Sequence, residues 1–361
     1  MKYIKIIKSI LQKYLFIFHL KNFNFSNVTV LCYNVTPVLL FKCFGIKSKI
    51  FSNHGIAMEL YNGAKEHSKG NVLFINEDCF FIKFFPKKWK YIYHFNLNTY
   101  KYIYQKKNFS LITAGNTYKY NNNAIYRKLA QSSKYNIDSF RLMKVEEHEC
   151  CLMAESILSI GTNGVFKEFQ NDYPNKSIFQ LNNSTYFKNR INNPLFERTE
   201  VLMIAGRGSF HKGVDVYFKL AEINPEIIFN LIHPYDLNEI EIPLNVVIHG
   251  FILPTNPLFS EICLRSRVSC FFSISEGFPG SLCDSLAFGL LPIVPKDLGL
   301  EFSDCFEFND FEELQSKFSE LYYNFQYFEK RQSSIELWKS KNITIDVFRS
   351  QVKEYFTSLY N

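Results

Sequence analysis

The stretch from Ser273 to Pro295, Ser-Ile-Ser-Glu-Gly-Phe-Pro-Gly-Ser-Leu-Cys-Asp-Ser-Leu-Ala-Phe-Gly-Leu-Leu-Pro-Ile-Val-Pro, restricts the fold more than any other part of the chain. An apolar run that begins at Val268 ends at Ile274, and a carboxylate follows at Glu276. Gly277 to Gly280 then form a tight loop, Ser281 opens a short helix that stops at Gly289, and a second buried strand leaves from Leu291 to Pro295. A strand, loop, helix, strand unit of this kind aims backbone N–H groups and a helix N-terminus at whatever sits above the loop, which is how proteins hold phosphate. Glu276 has the wrong charge for phosphate. Its presence predicts a ligand that carries hydroxyls beside its anion, as a nucleotide sugar does.

At 361 residues the chain exceeds one ordinary domain, so two domains of similar size are expected. A hydrophobic fraction of 47% with 21% charged residues is that of a soluble globular protein with a sizeable core. Aromatics reach 17%, which reads as core and compositional bias, with a membrane-facing surface as the other reading. The formal charge of +7 suits an anionic ligand or an anionic membrane face and is too weak to indicate nucleic acid, for which no motif is present. Nine scattered cysteines include no C-x-x-C and one adjacent pair, Cys150 and Cys151. Neither a metal site nor a disulfide framework is indicated, and a reduced, cytoplasmic protein is expected. From Met1 to Phe23, lysines interrupt every apolar run, so no spanning segment is expected. Ile4, Ile7, Leu11, Leu15 and Phe18 fall at helical spacing and predict a helix, either packed on its own domain or lying in a membrane interface.

Strands and helices then alternate. Val28–Tyr33, Lys49–Ser52, Asn71–Asn76, Phe109–Thr113, Ser156–Ile160 and Ser177–Leu181 read as strands, and Thr36–Phe44 and Val145–Met153 as helices. Lys87 to Tyr93 mixes lysine with aromatics and reads as a solvated strand edge or a seat for anionic headgroups. Ala114-Gly-Asn116 begins what reads as a polar loop through Asn121, Asn122 and Asn123. Lys188 to Thr199 is polar and turn-rich, which predicts a linker. Beyond it, strands at Val201–Ala205, Ile227–Ile232, Val246–His249 and Val268–Ile274 alternate with helices at Val214–Ile223 and Asn256–Arg265. Late helices are expected at Phe311–Tyr323 and Ile343–Tyr360. Alternation on this scale predicts parallel sheets with crossover helices.

Arg207 and Lys212 lie in the loop after Val201–Ala205, bounded by Gly206, Gly208 and Gly213. Loops at the carboxyl ends of central strands converge on one crevice in an open parallel sheet, so this loop and the Glu276 loop should face one ligand. Arg207 offers a planar fork to a diphosphate and Lys212 a point charge. Such charge-assisted contacts contribute roughly 1.5–3 kcal/mol each, and a helix N-terminus about 0.3–2 kcal/mol. Together they can hold a diphosphate leaving group without metal.

Gly206-Arg207, Lys212-Gly213, His249-Gly250-Phe251, and Glu276 leading into Leu286-Ala-Phe-Gly-Leu-Leu-Pro292 resemble the nucleotide-sugar domain of GT-B glycosyltransferases, particularly the retaining family numbered four. The match covers about 201–295, and Glu146 to Gly161 resembles the helix and strand before that family's linker. The resemblance implies an α/β fold of two Rossmann-like domains with parallel sheets facing a central cleft. Residues 1–190 would form the acceptor side and 200–340 the nucleotide-sugar side, with 341–361 a helix packing back on the first domain.

The resemblance further implies that Gly206, Arg207 and Lys212 meet the diphosphate, that Glu276 and Gly277 meet the donor sugar, and that Gly280, Ser281 and Leu282 present N–H groups to phosphate. Phe251 and Ile252 would flank the base. Asp284 stands where the family usually has a ribose-binding Glu, and one methylene less shortens its reach by about 1.5 Å, so the ribose contact is lost or water-bridged. No glycine precedes Gly45, whereas the family commonly has a Gly-rich loop after its first strand. The family's sugar-side His falls where this chain has Thr113-Ala-Gly-Asn-Thr117, leaving Asn116, His54 and His94 as acceptor-side candidates.

The expected activity is therefore transfer of a sugar from a nucleotide-diphosphate donor to a glycan, a lipid-linked saccharide or a similar hydroxyl acceptor. Arg207, Lys212 and Glu276 would be catalytic, with retention of configuration, no cofactor, no metal, and contact with the cytoplasmic face of a membrane as a further expectation. A nucleotide-sugar epimerase and a catalytically degenerate binding or scaffold protein are the alternatives.

Overall fold

The structure, a computed structural model, describes residues 16–19, 28–33, 52–68, 71–76, 80–106, 108–131, 135–184, 197–206, 209–234, 237, 241–302 and 306–360. The first half contains β1 (Phe16–His19), β2 (Thr29–Tyr33), α1 (Ser52–His67), β3 (Val72–Asn76), β4 (Lys90–His94), α2 (Leu97–Ile103), β5 (Phe109–Thr113), α3 (Tyr118–Ala130), α4 (Val145–Met153), β6 (Ser156–Ile160), α5 (Asn163–Asp172) and β7 (Ser177–Leu181). The second contains β8 (Glu200–Ile204), α6 (Val214–Glu222), β9 (Ile228–Ile232), β10 (Val246–Ile248), α7 (Pro257–Arg265), β11 (Ser266–Cys270), α8 (Gly280–Ala287), β12 (Leu291–Pro295) and β13 (Glu307–Phe308). It is followed by α9 (Phe311–Tyr323), α10 (Phe328–Asn342) and α11 (Ile345–Tyr360).

Two sheets result, ordered β1-β3-β2-β4-β5-β6-β7 and β10-β9-β8-β11-β12-β13. Apart from β1, which runs antiparallel to β3, the pairings are parallel. Their sequences suit this. Val-Leu-Phe-Ile in β3 and Val-Leu-Met in β8 are continuous apolar runs, as strands covered on both faces require. One face of the first sheet packs Leu31, Phe74 and Ile112 against Leu60 of α1 and Phe348, Val352, Tyr355 and Phe356 of α11. The other packs Val30, Leu73, Tyr91 and Leu111 against Cys150 of α4 and Phe169 of α5. In the second sheet the larger core holds Val201, Phe229 and Val268 with Tyr217, Leu282 and Phe318, and α7 covers Leu202 and Ile232 with Phe259 and Ile262.

Several sequence expectations need correction. Phe16–His19 is a strand rather than part of a helix, paired antiparallel with β3 at the edge of the first sheet; the rest of Met1–Phe23 lies outside the described residues, as do Thr36–Phe44 and most of the expected linker. Ser52 begins a helix instead of ending a strand. The lysine–aromatic stretch ends in a central strand, not an edge: β4 lies between β2 and β5. It tolerates this because its polar tips find internal partners. The Tyr91 hydroxyl donates to Pro86 O at 2.7 Å, and Lys90 Nζ donates to Leu359 O at 2.6 Å while lying over the Tyr360 ring. The asparagines read as a polar loop sit in α3, where Thr117 caps the first turn by accepting from Tyr120 N.

The chain returns from α10 to the first sheet through Asn182, at the end of β7. Its side chain donates to Asn342 O at 2.9 Å, and its backbone N–H donates to Gln351 Oε1 at 2.8 Å. Arg349 holds Glu59 through two 3.0 Å bonds. Phe356→Ala should lower the unfolding free energy by about 3–5 kcal/mol, because it leaves a cavity under the first sheet. Arg349→Ala, at an ion pair whose Arg is 55% exposed, should cost within about 1 kcal/mol. Urea unfolding of the two variants, followed by circular dichroism, checks the ranking.

Candidate active site

The site begins with the turn that joins β8 to α6. Gly213 has φ +73°, and a Cβ there would sit 2.3 Å from Phe272 O, so glycine alone lets this turn close on the end of β11. Two hydrogen bonds then tie the turn to the next loop: Ile274 N donates to His211 O at 3.1 Å, and His211 Nε2 lies 2.9 Å from Ser275 O. A carbonyl only accepts, so Nε2 carries the proton. That leaves Nδ1 as a buried acceptor with no partner among the described residues. Burial pushes His211 down to about 4, so the ring is neutral near pH 7.

Beside it, the Lys212 ammonium and the Glu276 carboxylate form an ion pair, and Ser273 Oγ donates to Glu276 Oε1 at 3.1 Å. Burial, helped by the Arg141 guanidinium, pushes Lys212 down to about 8. The structure thus joins two groups that lie 64 positions apart in sequence. Arg207 and Gly208 lie outside the described residues; Gly206 is exposed beside the Lys212 stem.

Gly277 carries the Glu276 loop against the other sheet. A Cβ on Gly277 would lie 2.4 Å from Ala114 O and 2.7 Å from Ile160 O, at the ends of β5 and β6. Neighbouring contacts hold the halves together. Asn183 Nδ2 donates to Phe278 O at 3.0 Å, Thr162 Oγ1 to Leu298 O at 2.5 Å, and Tyr135 OH to Asp215 Oδ2 at 2.8 Å, with Lys128 2.9 Å from the same carboxylate. Between them lies a cavity of about 140 Å³. His94, Asn116, Asn121, Arg141 and Glu147 line it from one side, and His211, Ser275 and Glu276 from the other. Asn116 is buried and its Oδ1 accepts from Thr117 N at 2.8 Å; His94 lies against the Tyr33 ring. His54 falls in the first turn of α1, but its side chain lies outside the described residues.

Other expected site residues do not line this cavity. Gly280, Ser281 and Leu282 open α8, whose N-terminus has no side-chain cap. Phe251 is 70% exposed, whereas Ile252 is packed with Leu202, Ile232 and Phe259. His211 and Arg141 are among the cavity residues not anticipated from sequence. His211 could have been found as a side chain beside Lys212 in a Gly-bounded loop, but nothing around Arg141 forms a motif.

Asp284 is 6% exposed, and burial pushes its carboxyl from 3.8 up to about 7. Between those values the folded chain holds a proton that the unfolded chain has released, so this group makes stability fall as pH rises across that window. Asp284→Asn, neutral throughout, should be more stable than the parent at about pH 8 by on the order of 4 kcal/mol, with the advantage shrinking to nothing near pH 4. Thermal melts of both proteins across that range check this; an equal gap at every pH would refute it.

No protein-family model matches the sequence, and no curated protein matches it. Solved structures do. S. aureus TarM in complex with UDP aligns with TM-score 0.56 at 15% identity over 87% of this chain, which spans 60% of the TarM chain. Anabaena HepE in complex with UDP and glucose aligns with TM-score 0.57 at 10% identity, covering 92% of this chain and 100% of that one. A UDP-forming trehalose-phosphate synthase from Burkholderia vietnamiensis aligns with TM-score 0.59 at 10% identity, covering 92% and 96%. Two sheets of parallel strands with interleaved helices, matched by these structures over nearly the whole chain, are the GT-B fold.

Proposed function

We propose that this protein is a glycosyltransferase that moves a sugar from a nucleoside-diphosphate donor to a hydroxyl of a glycan, a lipid-linked saccharide or a related acceptor. The observation that carries the reading is the meeting of Lys212 with Glu276 at the cavity between the two sheets. UDP in the solved TarM and HepE complexes supports the donor class. In this reading the pair keeps both groups charged until the donor arrives. Lys212 then turns to the diphosphate, and Glu276 accepts from hydroxyls of the donor sugar.

The acceptor hydroxyl attacks the anomeric carbon, the bond from that carbon to the diphosphate oxygen breaks, and a donor phosphate oxygen takes the hydroxyl proton. Retention of configuration follows from the resemblance to family four. Arg207, Lys212 and the uncapped N-terminus of α8, with Gly280, Ser281 and Leu282, stabilise the charge that grows on the leaving diphosphate. These groups supply the positive charge that a divalent ion supplies in other enzymes, so transfer is expected to persist in EDTA. Asn116 and His94 belong to the acceptor side and Phe251 to the base. A lipid-linked acceptor would bring the basic, aromatic surface of Phe84, Lys87 and Lys88, whose Phe84 is 68% exposed, toward the cytoplasmic face of a membrane. Among the described residues no helix is long and apolar enough to cross one.

Lys212→Ala and Arg207→Ala should each weaken UDP or GDP binding about 10- to 100-fold, the loss of one charge-assisted contact. Glu276→Ala should abolish transfer while leaving nucleoside-diphosphate binding within about threefold, because its contacts belong to the sugar. Near wild-type transfer in all three would remove the assignment. Because Lys212 loses its charge around pH 8, nucleoside-diphosphate affinity should fall as pH rises from about 7 to 9. Lys212→Arg, which stays charged there, should flatten that profile in calorimetric titrations.

A further inference from the structure

Arg141, an exposed side chain on the cavity wall, is anchored through its backbone. It lies in the extended stretch between α3 and α4, and Arg141 O accepts from Asn121 Nδ2 at 3.0 Å. Two residues on, Met143 exchanges a pair of hydrogen bonds with Asn122: its N–H donates to Oδ1 at 2.9 Å, and its carbonyl accepts from Nδ2 at 3.0 Å. Asn121 Nδ2 also donates to Asn122 Oδ1, at 3.0 Å. Burying two amides, 5% and 7% exposed, is costly unless their hydrogen bonds are made. Here they are made largely to the stretch that carries Arg141, whose backbone is thereby fixed at the cavity wall.

The guanidinium itself has no ion-pair or hydrogen-bond partner among the described residues. Both acids of the cavity are already engaged. Glu276 pairs with Lys212, and Glu147 Oε1 accepts from Lys144 N at 3.3 Å as the cap of α4. Arg141 is therefore a cation with no acid hydrogen-bonded to it, close enough to help push Lys212 and His211 down, and Glu147 offsets part of its charge. It comes from the half opposite the diphosphate groups, so it faces the space where the two sugars would meet. His211 and Ser275 line the same space from the other half.

We propose that Arg141 reads an anionic substituent, a carboxylate or a phosphate, on one of the two sugars that meet in the cavity. The inference rests on the sugar-transfer reading and narrows its substrate class. A planar fork with no acid hydrogen-bonded to it favours a bidentate anion over a neutral hydroxyl.

The test is calorimetric binding to the full-length protein and to R141Q. The probes are UDP and GDP, UDP-glucose against UDP-glucuronate, GDP-mannose against GDP-mannuronate, and glucose against glucose 6-phosphate with UDP or GDP present. The expected result is that one charged probe binds at least about tenfold more tightly than its neutral counterpart. R141Q should erase that preference and leave nucleoside-diphosphate affinity within twofold or so. Preference for a charged nucleotide sugar would assign the anion to the donor, and preference for glucose 6-phosphate to the acceptor. Equal binding of charged and neutral probes would overturn the inference, as would an R141Q loss of UDP or GDP binding as large as the loss for the charged sugar, which would make Arg141 a diphosphate contact. Failure of the parent protein to bind UDP, GDP or any of their sugars would sink the sugar-transfer reading itself, and this inference with it.

Discussion

The arrangement depends on one contact between backbones. At Gly277 the loop that follows β11 comes so near the carbonyls of Ala114 and Ile160 that not even a methyl group fits. Because the loop can approach this far, Glu276, one residue earlier, opens into a cavity whose other wall belongs to the first sheet. The hydrogen bonds through Asn183, Thr162 and Tyr135 work over the same short distance and hold the halves in register. Gly213 performs the matching task within the second half, letting the Lys212 turn close on the end of β11. Two positions without side chains thus decide where two charged side chains meet.

Electrostatics in the cavity follow from that closeness. Burial disfavours charge on His211, Lys212 and Asp284 alike, pushing the two bases down and the acid up. The outcomes differ because the surroundings differ. Lys212 has Glu276 against it and stays cationic at neutral pH, His211 has a carbonyl and is neutral, and Asp284 lies inside α8 near the thiols of Cys263 and Cys283, whose ionisation it further disfavours. Groups in such shifted states are concentrated where chemistry is done, and His211 and Lys212 flank the Glu276 loop.

Much of this was legible in the sequence. Continuous apolar runs such as those of β3, β8 and β12 identify strands covered on both faces, and the rule that carboxyl-end loops converge brings Lys212 toward Glu276 before any coordinates are known. The failures have physical causes. In β4, lysine and tyrosine look solvated, yet Lys90 lays its stem along the interior and finds a carbonyl from α11. Asn121 and Asn122 have the composition of a turn, and tertiary hydrogen bonds outweigh that local preference. Arg141 is invisible for the same reason: its importance comes from what Asn121 and Asn122 do twenty residues earlier, and no spacing rule connects them.

The position of α11 has a consequence for biogenesis. Phe348, Val352, Tyr355 and Phe356 complete a core otherwise built from β2 to β7 and α1, so the first sheet keeps one apolar flank partly uncovered while the whole second half is being synthesised. At about 5–20 residues per second, that exposure lasts roughly ten to thirty seconds on the ribosome. Although the first half leads in sequence, it is the second that can bury its own sheet first, and the nascent chain is most exposed to chaperones and to aggregation along the surface that α11 finally covers.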